Sequence, residues 1–404
     1  MSGALQHLRV IELGGGVAAP YCGKLFAAYG ARVSKIEPPP DGDPTRSTGP
    51  FAGEPGIETS IPFLWLNTSK ESVALDLSQT AGQALARRIA LTADIVIESS
   101  APGHFAGTGL AYDELAAEHP GLIMVSVTPF GQDGPYRGFL GDEIVAYATG
   151  GGMHLTGDPD REPLAGGPQV AHCSAGMAAY IGALAAVYGR QLGGRGRWVD
   201  VSIQEAMLDN IEIALVENLH NGQVARRKGD QHTLVPWQLY PCRDGWAAVI
   251  GGPIRNWLGA VEMFDEPRLE APEYRHVAGR MARRTEFETL MQPWLDRHDR
   301  KEILTEGRRR GLAFGVLNHP EEVLEHPHHR ERGFFHRLEH PTAGEHVVAG
   351  EPFRVAGAPA VHRRAPLLGE HTEEVLTAAL GLTGPEVAGL IADGVVHAAS
   401  EASP

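Results

Sequence analysis

The chain has 404 residues, 43% apolar and 21% charged, with 35 basic against 50 acidic side chains. That balance belongs to a globular protein of two or three domains rather than a disordered chain, and a net charge of −15 excludes a general binder of nucleic acid or anionic membrane. Three cysteines suit neither a disulfide framework nor a zinc site, no basic-then-apolar leader opens the chain, and no apolar run reads as long enough to cross a bilayer, so a cytoplasmic protein with no membrane span and no metal is expected.

Leu8–Leu13 (LRVIEL) is a short apolar run with β-branched residues and reads as a buried strand. Gly14, Gly15 and Gly16 break it. Ala18, Tyr21, Cys22, Leu25 and Phe26 then recur at helical spacing up to Gly30, where a glycine ends the helix, and Ala31–Ile36 (ARVSKI) returns as a second strand. This βαβ unit predicts a parallel sheet. A helix at Ala81–Leu91 leads to a strand at Asp94–Glu98, and a helix at Tyr112–Glu118 leads to a strand at Leu122–Val127, so the alternation continues. Ala175–Gln191 reads as an Ala-rich helix buried over most of its surface. Trp198–Ile203 alternates like a strand and runs into a helix at Gln204–Asn218. Past Gly222 the character changes to a basic loop, a strand at Trp246–Gly251 and a charged helical stretch over Arg255–Arg310. The chain then returns to β character, with a helix at Thr372–Leu380. The domain reading is a large α/β domain from 1–221 and 320–404, with a small domain at 222–319 inserted between its parts.

The glycine triplet after the first strand suits either a phosphate-binding loop or a tight strand-to-helix turn. Ala19 stands where a dinucleotide fingerprint needs glycine, and Glu37 is the one feature that favours such a nucleotide. Lys35, Arg46, Lys70 and Arg137 fall near turns of this half, where a single basic residue is usually a solvated charge. His172, Cys173 and Ser174 offer a base and two nucleophiles, but adjacent residues seldom face one another. A helix N-terminus would lower the Cys173 thiol pKa, yet a small core residue is the plainer reading, as a helix N-cap is for Ser174. His326, His328 and His329 have no regular ligand spacing and read as a surface turn, and Arg308, Arg309 and Arg310 as a solvated helix end.

Five stretches say more together. They are LRVIELGGGVAAPYCGKLFAAYGARVSKIEPPPDGDPTR (Leu8–Arg46), LNTSKESVALDL (Leu66–Leu77), HPGLIMVSVTPFGQDGPYRGFLGDEIVAYATGG (His119–Gly151), GRQLGGRGRWVDVSIQEAML (Gly189–Leu208), and HPEEVLEHPHHRERGFF followed by APLLGEHTEEVL. In this order they resemble the class III CoA-transferases, the family of formyl-CoA transferase, carnitine CoA-transferase and α-methylacyl-CoA racemase. The resemblance implies a Rossmann-like large domain with a smaller inserted one, and two chains threaded as interlocked rings. It implies coenzyme A, entering as an acyl-CoA substrate, held by Gly16, Val17 and Ala18 at the first strand–helix turn, by Glu37, Pro38 and Arg46, and by Arg137. It also implies a mobile loop at Gly229, Asp230, Gln231 and His232 over the active site, with Trp237, Tyr240 and Met153 as candidates to shape the acid pocket, each of them equally a core residue. The second substrate would be a carboxylic acid.

The chain departs from the family at the centre of its chemistry. Family transferases use one aspartate to attack the acyl-CoA thioester, pass through an acyl-aspartyl anhydride and then an aspartyl-CoA thioester, and deliver CoA to the acceptor acid. That aspartate lies four residues before the glycine opening the Ala-rich helix; here the glycine is Gly176 and the position is His172, with no Asp or Glu anywhere between Pro163 and Gln191. The family's E-N-F-R-P-G becomes Glu98-Ser99-Ser100-Ala101-Pro102-Gly103, and Gly141 replaces the histidine that precedes Asp142 in the racemase branch. Three readings follow: an aspartate-lacking subunit paired with a paralogue that keeps the carboxylate, an acyl-CoA isomerase or hydratase using His172, or a non-catalytic CoA-binding homologue. The partner chain is accordingly a second copy, in a homodimer, or a paralogous CoA-transferase subunit, in a heterodimer.

Overall fold

The computed structural model describes residues 3–229, 231–232, 234–251 and 254–399, which cluster into two compact units. One unit comprises residues up to Gly152, Ala165–Gly222 and everything from Glu331 onward; the other comprises Met153–Leu164 and Gln223–Arg330. The sequence reading draws its small domain over 222–319, without the 153–164 segment.

The first unit is built on a sheet of β1 (Arg9–Glu12), β2 (Arg32–Glu37), β3 (Glu71–Leu75), β4 (Ile95–Glu98), β5 (Ile123–Thr128) and β6 (Trp198–Ser202), all mutually parallel in the order β3-β2-β1-β4-β5-β6. The short strand Val396–His397 closes the β3 edge antiparallel. Both β4 and β5 are buried at every position, as unbroken apolar runs are when both faces of a sheet are covered. The order reverses between β1 and β4, leaving a crevice at their carboxyl ends where open α/β sheets hold ligands. The sequence does not single out β3: SVAL is short and sits between charged residues, and its strand character comes from pairing with β2.

Helix α1 (Ala18–Ala28) follows β1, and the longest helix runs over Val170–Gly193. Two expectations are corrected here. At 24 residues this helix has the length and apolarity to cross a bilayer, which the sequence reading denies of every segment. Nor is it buried over most of its surface: Ala171, Ala175, Ala179, Tyr180 and Ala183 form a buried stripe, while Ile181, Tyr188 and Leu192 are exposed. Small side chains on one stripe let two helices approach closely, so burial follows the stripe and not the composition. A Cβ on Gly176 would stand 2.6 Å from the Ala18 carbonyl oxygen, which fixes glycine at that crossing. The single helix expected at Gln204–Asn218 is two, Ile203–Asp209 and Glu212–Asn221.

The second unit carries a three-stranded antiparallel sheet of Trp237–Cys242, Gly245–Ile250 and Gly315–Val316. Its core packs Trp257, Phe264, Phe287 and Trp294. Arg280 is buried inside it, 4.4 Å from the centre of the Trp257 ring, and donates to the carbonyls of Val235 and Tyr274.

Candidate active site

The crevice between β1 and β4 is lined by two loops. Gly16 has φ +76 and open space where a Cβ would stand, and Val17 is the N-cap of α1, with no side-chain cap. Uncapped N–H groups at a helix N-terminus, reached past a glycine, suit an anion. The Ser99 hydroxyl from the loop after β4 ties the two loops together, accepting from the Gly15 N–H at 3.0 Å and lying 3.2 Å from the Gly15 carbonyl. Gly16, Val17 and Ala18 thus lie at the crevice mouth, Pro38 is exposed after β2, and Arg137 is exposed in the loop after β5.

Beneath this loop lies a buried ionic cluster that follows from strand register. Glu12 and Lys35 are cross-strand neighbours, and Lys70 immediately precedes β3. Lys35 Nζ is 2.7 Å from Glu12 Oε1 and 2.6 Å from Asp43, and Lys70 Nζ is 2.8 Å from Glu12 Oε2; all four residues are at most 3% exposed. Lys70 also donates to the Pro20 carbonyl and to Asn67. Burial disfavours the Lys35 ammonium, but Asp43 and Glu12 outweigh it and hold its pKa above the usual lysine value. Burial wins at Lys70, pushing it down to about 8 against the pull of Glu12.

Glu37 and Arg46 are corrected as coenzyme A contacts. Arg46 is fully buried, donates to both oxygens of Glu37, to Glu58 and to two backbone carbonyls, and lies 3.6 Å from the centre of the Phe63 ring. With its donors engaged and no exposed surface, it braces the segment after β2 and has nothing to offer a phosphate. Lys35 and Lys70 are likewise interior charges. A basic residue beside a phosphate loop and one spent inside an ion pair look identical in sequence.

His172 opens the long helix. Glu143, the first residue of the helix Glu143–Thr149, reaches across to cap it: its two carboxylate oxygens accept from the N–H groups of Ala171 (2.8 Å) and His172 (3.0 Å). Gln169, at φ +63, places its Oε1 2.7 Å from His172 Nδ1, which is also 3.3 Å from Glu143. The acceptors on that side assign the proton to Nδ1, so Nε2 carries the lone pair, 3.7 Å from Asp142 Oδ1. Burial lowers the imidazole pKa below its usual value although Glu143 and Asp142 pull it up, so the ring is neutral at neutral pH. The close crossing at Gly176, one turn further on, brings this end of the helix beside the start of α1, so His172 and the Gly16–Ala18 turn belong to one region.

The readings of its neighbours are revised. Burial first, then Glu143, pushes the Cys173 thiol up to about 11 instead of down. Ser174 lies inside the helix, not at its cap. Both line an open cavity of about 420 Å³ with Tyr21, Met177, Asp209 and Asn210. Glu143 and Gln169 escaped notice as site residues, and Asp142 was noted only against the racemase branch. The signal was present, since an Asp-Glu pair before an apolar run is an N-cap signature, but not the second helix that it caps.

In the second unit the Gly229 N–H bonds to the Gly157 carbonyl, and the His232 ring stacks on Trp237 at 4.2 Å while its Nδ1 accepts from the Leu234 N–H. Gln231 donates its N–H to the Lys228 carbonyl. Asp230 lies outside the described residues. Tyr240 is a core residue of this unit and Trp237 is partly exposed.

Residues 5–372 match the family model described as CoA-transferase family III. The chain belongs to that family. It is 34% identical to succinyl-CoA–D-citramalate CoA-transferase of Chloroflexus aurantiacus, over 97% of this chain and 98% of the relative. It is 29% identical to a subunit of succinyl-CoA:(R)-benzylsuccinate CoA-transferase of Thauera aromatica, over 97% of this chain and 98% of the relative. A CaiB/BaiF family protein of Brucella suis superposes with a TM-score of 0.84 at 28% identity, covering 94% of this chain and all of the other. CoA-transferases of this family act on a CoA thioester and a carboxylic acid.

Glu143→Gln tests the site. One capping oxygen becomes an NH₂ facing a backbone N–H, so the helix is expected to lose about 1 kcal/mol. Removing the negative charge that raises the His172 pKa is expected to lower it further, measured by NMR titration of the ring. An unchanged titration would mean that Glu143 does not act on the ring.

Proposed function

We propose that the chain is the aspartate-lacking subunit of a heteromeric class III CoA-transferase, cytoplasmic and paired in an interlocked dimer with a paralogue that keeps the nucleophile, moving CoA from a donor such as succinyl-CoA to a carboxylic acid. The observation that carries this is the occupant of residue 172. A neutral imidazole, held by Gln169 and Glu143, stands there instead of a free carboxylate. An acyl-imidazole hydrolyses readily, which defeats faithful transfer of CoA. The neighbouring carboxylates do not replace it: Glu143 is engaged as a helix cap, and Asp142 Oδ1 accepts from the Glu143 N–H. That a relative of nearly full coverage is itself one subunit of a transferase supports the pairing. The Gly16–Ala18 turn and Arg137 are the CoA contacts this reading keeps.

The test is transfer from succinyl-CoA to a panel of carboxylic acids, by the purified chain alone and after co-expression with an aspartate-bearing paralogue. The expected result is no transfer alone and transfer by the pair; transfer by the chain alone ends the proposal.

One observation favours a second reading. His172 Nε2 lies 3.7 Å from Asp142 Oδ1, so with the ring proton on Nδ1 a second proton accepted at Nε2 gains an ion-pair partner. Such a base would take the α-proton of an acyl-CoA, leaving the electron pair on the thioester enolate. Solvent deuterium entering that α-carbon with the chain alone, and not with His172→Ala, would establish this second chemistry in place of the first.

A further inference from the structure

Outside the crevice, three ligand-type side chains from separate stretches converge in the first unit. His336 lies on the strand Phe335–His340, Glu351 follows the antiparallel strand Gly344–Ala349, and His362 lies further on. One ligand atom of each falls within 4.8 Å of the others. We propose that His336, Glu351 and His362 form a binding site for a divalent transition-metal ion of the zinc class.

Four arguments support it. The donor set, two imidazoles and a carboxylate, is one that zinc takes, with a fourth position left for water. The spacing suits it: bonds of about 2.1 Å in a tetrahedron place ligand atoms roughly 3.4 Å apart, and His362 Nδ1 is 3.2 Å from Glu351 Oε1. The site is held in place, because the Val361 N–H donates to the Ala28 carbonyl and the Val361 carbonyl and the Arg363 N–H both bond the Ser69 hydroxyl, fixing His362 between them. The Gly350 N–H likewise bonds the Phe334 carbonyl beside Glu351. Finally, the two imidazole rings stack with centroids 3.4 Å apart, a separation at which two imidazolium charges would repel. A neutral ring keeps a nitrogen lone pair to offer an ion. Binding needs the rings to tilt so that their nitrogens converge on the ion.

Two cations oppose a dication. Lys24 faces Glu351 while donating to Thr68, and Arg354 lies near the same carboxylate. The ion would pin the strand pair to the segment that crosses α1 and Ser69, so its effect is expected on stability.

The probe is Co²⁺ titrated into the full-length, metal-stripped chain, followed by its visible absorption. Zn²⁺ competition and the thermal midpoint complete the experiment. We expect a four-coordinate spectrum, displacement by Zn²⁺, a raised midpoint, and at least about tenfold weaker binding in the double variant His336→Ala with His362→Ala. Glu351→Gln, which keeps the shape of the side chain, should weaken binding in the same direction if the double variant does not fold. His326→Ala with His328→Ala, on the other histidine cluster, should leave binding unchanged. No binding, binding that survives the loss of His336 and His362, or binding lost only with His326 and His328 would each overturn the site.

Discussion

Glu12→Ala is expected to cost about 3–5 kcal/mol of stability, because it leaves two ammonium groups in the interior without the carboxylate they share. Lys35 keeps Asp43, but Lys70 loses its only ion-pair partner among the described residues and retains only the Pro20 carbonyl and Asn67. Removing the second charge as well, in Glu12→Leu with Lys70→Met, is expected to recover part of the loss, since a buried ion pair exchanged for apolar groups is often neutral. Arg32 is the control. It pairs with Glu71 and Glu374 through a side chain that is 43% exposed, and Arg32→Ala is expected to stay within about 1 kcal/mol. Denaturant midpoints decide the matter. Equal losses from Glu12→Ala and Arg32→Ala would mean that the interior cluster is not tightly closed.

His172→Asp is expected to give the chain transferase activity of its own, at least about a hundredfold above wild type, because it restores a carboxylate where the proposed reading places the lost nucleophile. The surroundings suit a carboxylate in three respects. The residue lies in the first turn of a long helix, whose N-terminus favours negative charge. Gln169, which now accepts from the imidazole, could turn its amide and donate instead. Glu143 has its oxygens committed to the backbone. Asp142 and Glu143 would also raise the pKa of the new carboxylate, so exchange is expected to rise with pH through a value above the usual aspartate range. The measurement is transfer from succinyl-CoA against pH, with trapping of an aspartyl-CoA thioester by mass. A variant that still binds CoA but forms no adduct would show that more than the nucleophile has been lost. This outcome is separable from the mixing test, since it needs no partner chain.

Much of this protein could be read from its residues. The βαβ unit was legible because LRVIEL, the glycine triplet and the helical spacing from Ala18 each obey local rules, and the family was legible because five motifs keep their order. That no Asp or Glu stands between Pro163 and Gln191 is also a sequence fact. What the chain order could not decide is which charges face each other. Glu37 and Arg46 looked like ligand contacts and are a closed pair; Lys35 and Lys70 read as solvated charges near turns and instead share Glu12 in the interior. Glu143 starts one helix and caps another, at Ala171 and His172. His336, Glu351 and His362, scattered along the last quarter of the chain, meet only in three dimensions. Periodicity and punctuation act between neighbours a few residues apart, so a sequence reveals them. Ion pairing, burial and the pKa values that follow act between groups dozens or hundreds of residues apart, and only the strand register and helix crossings bring those groups together.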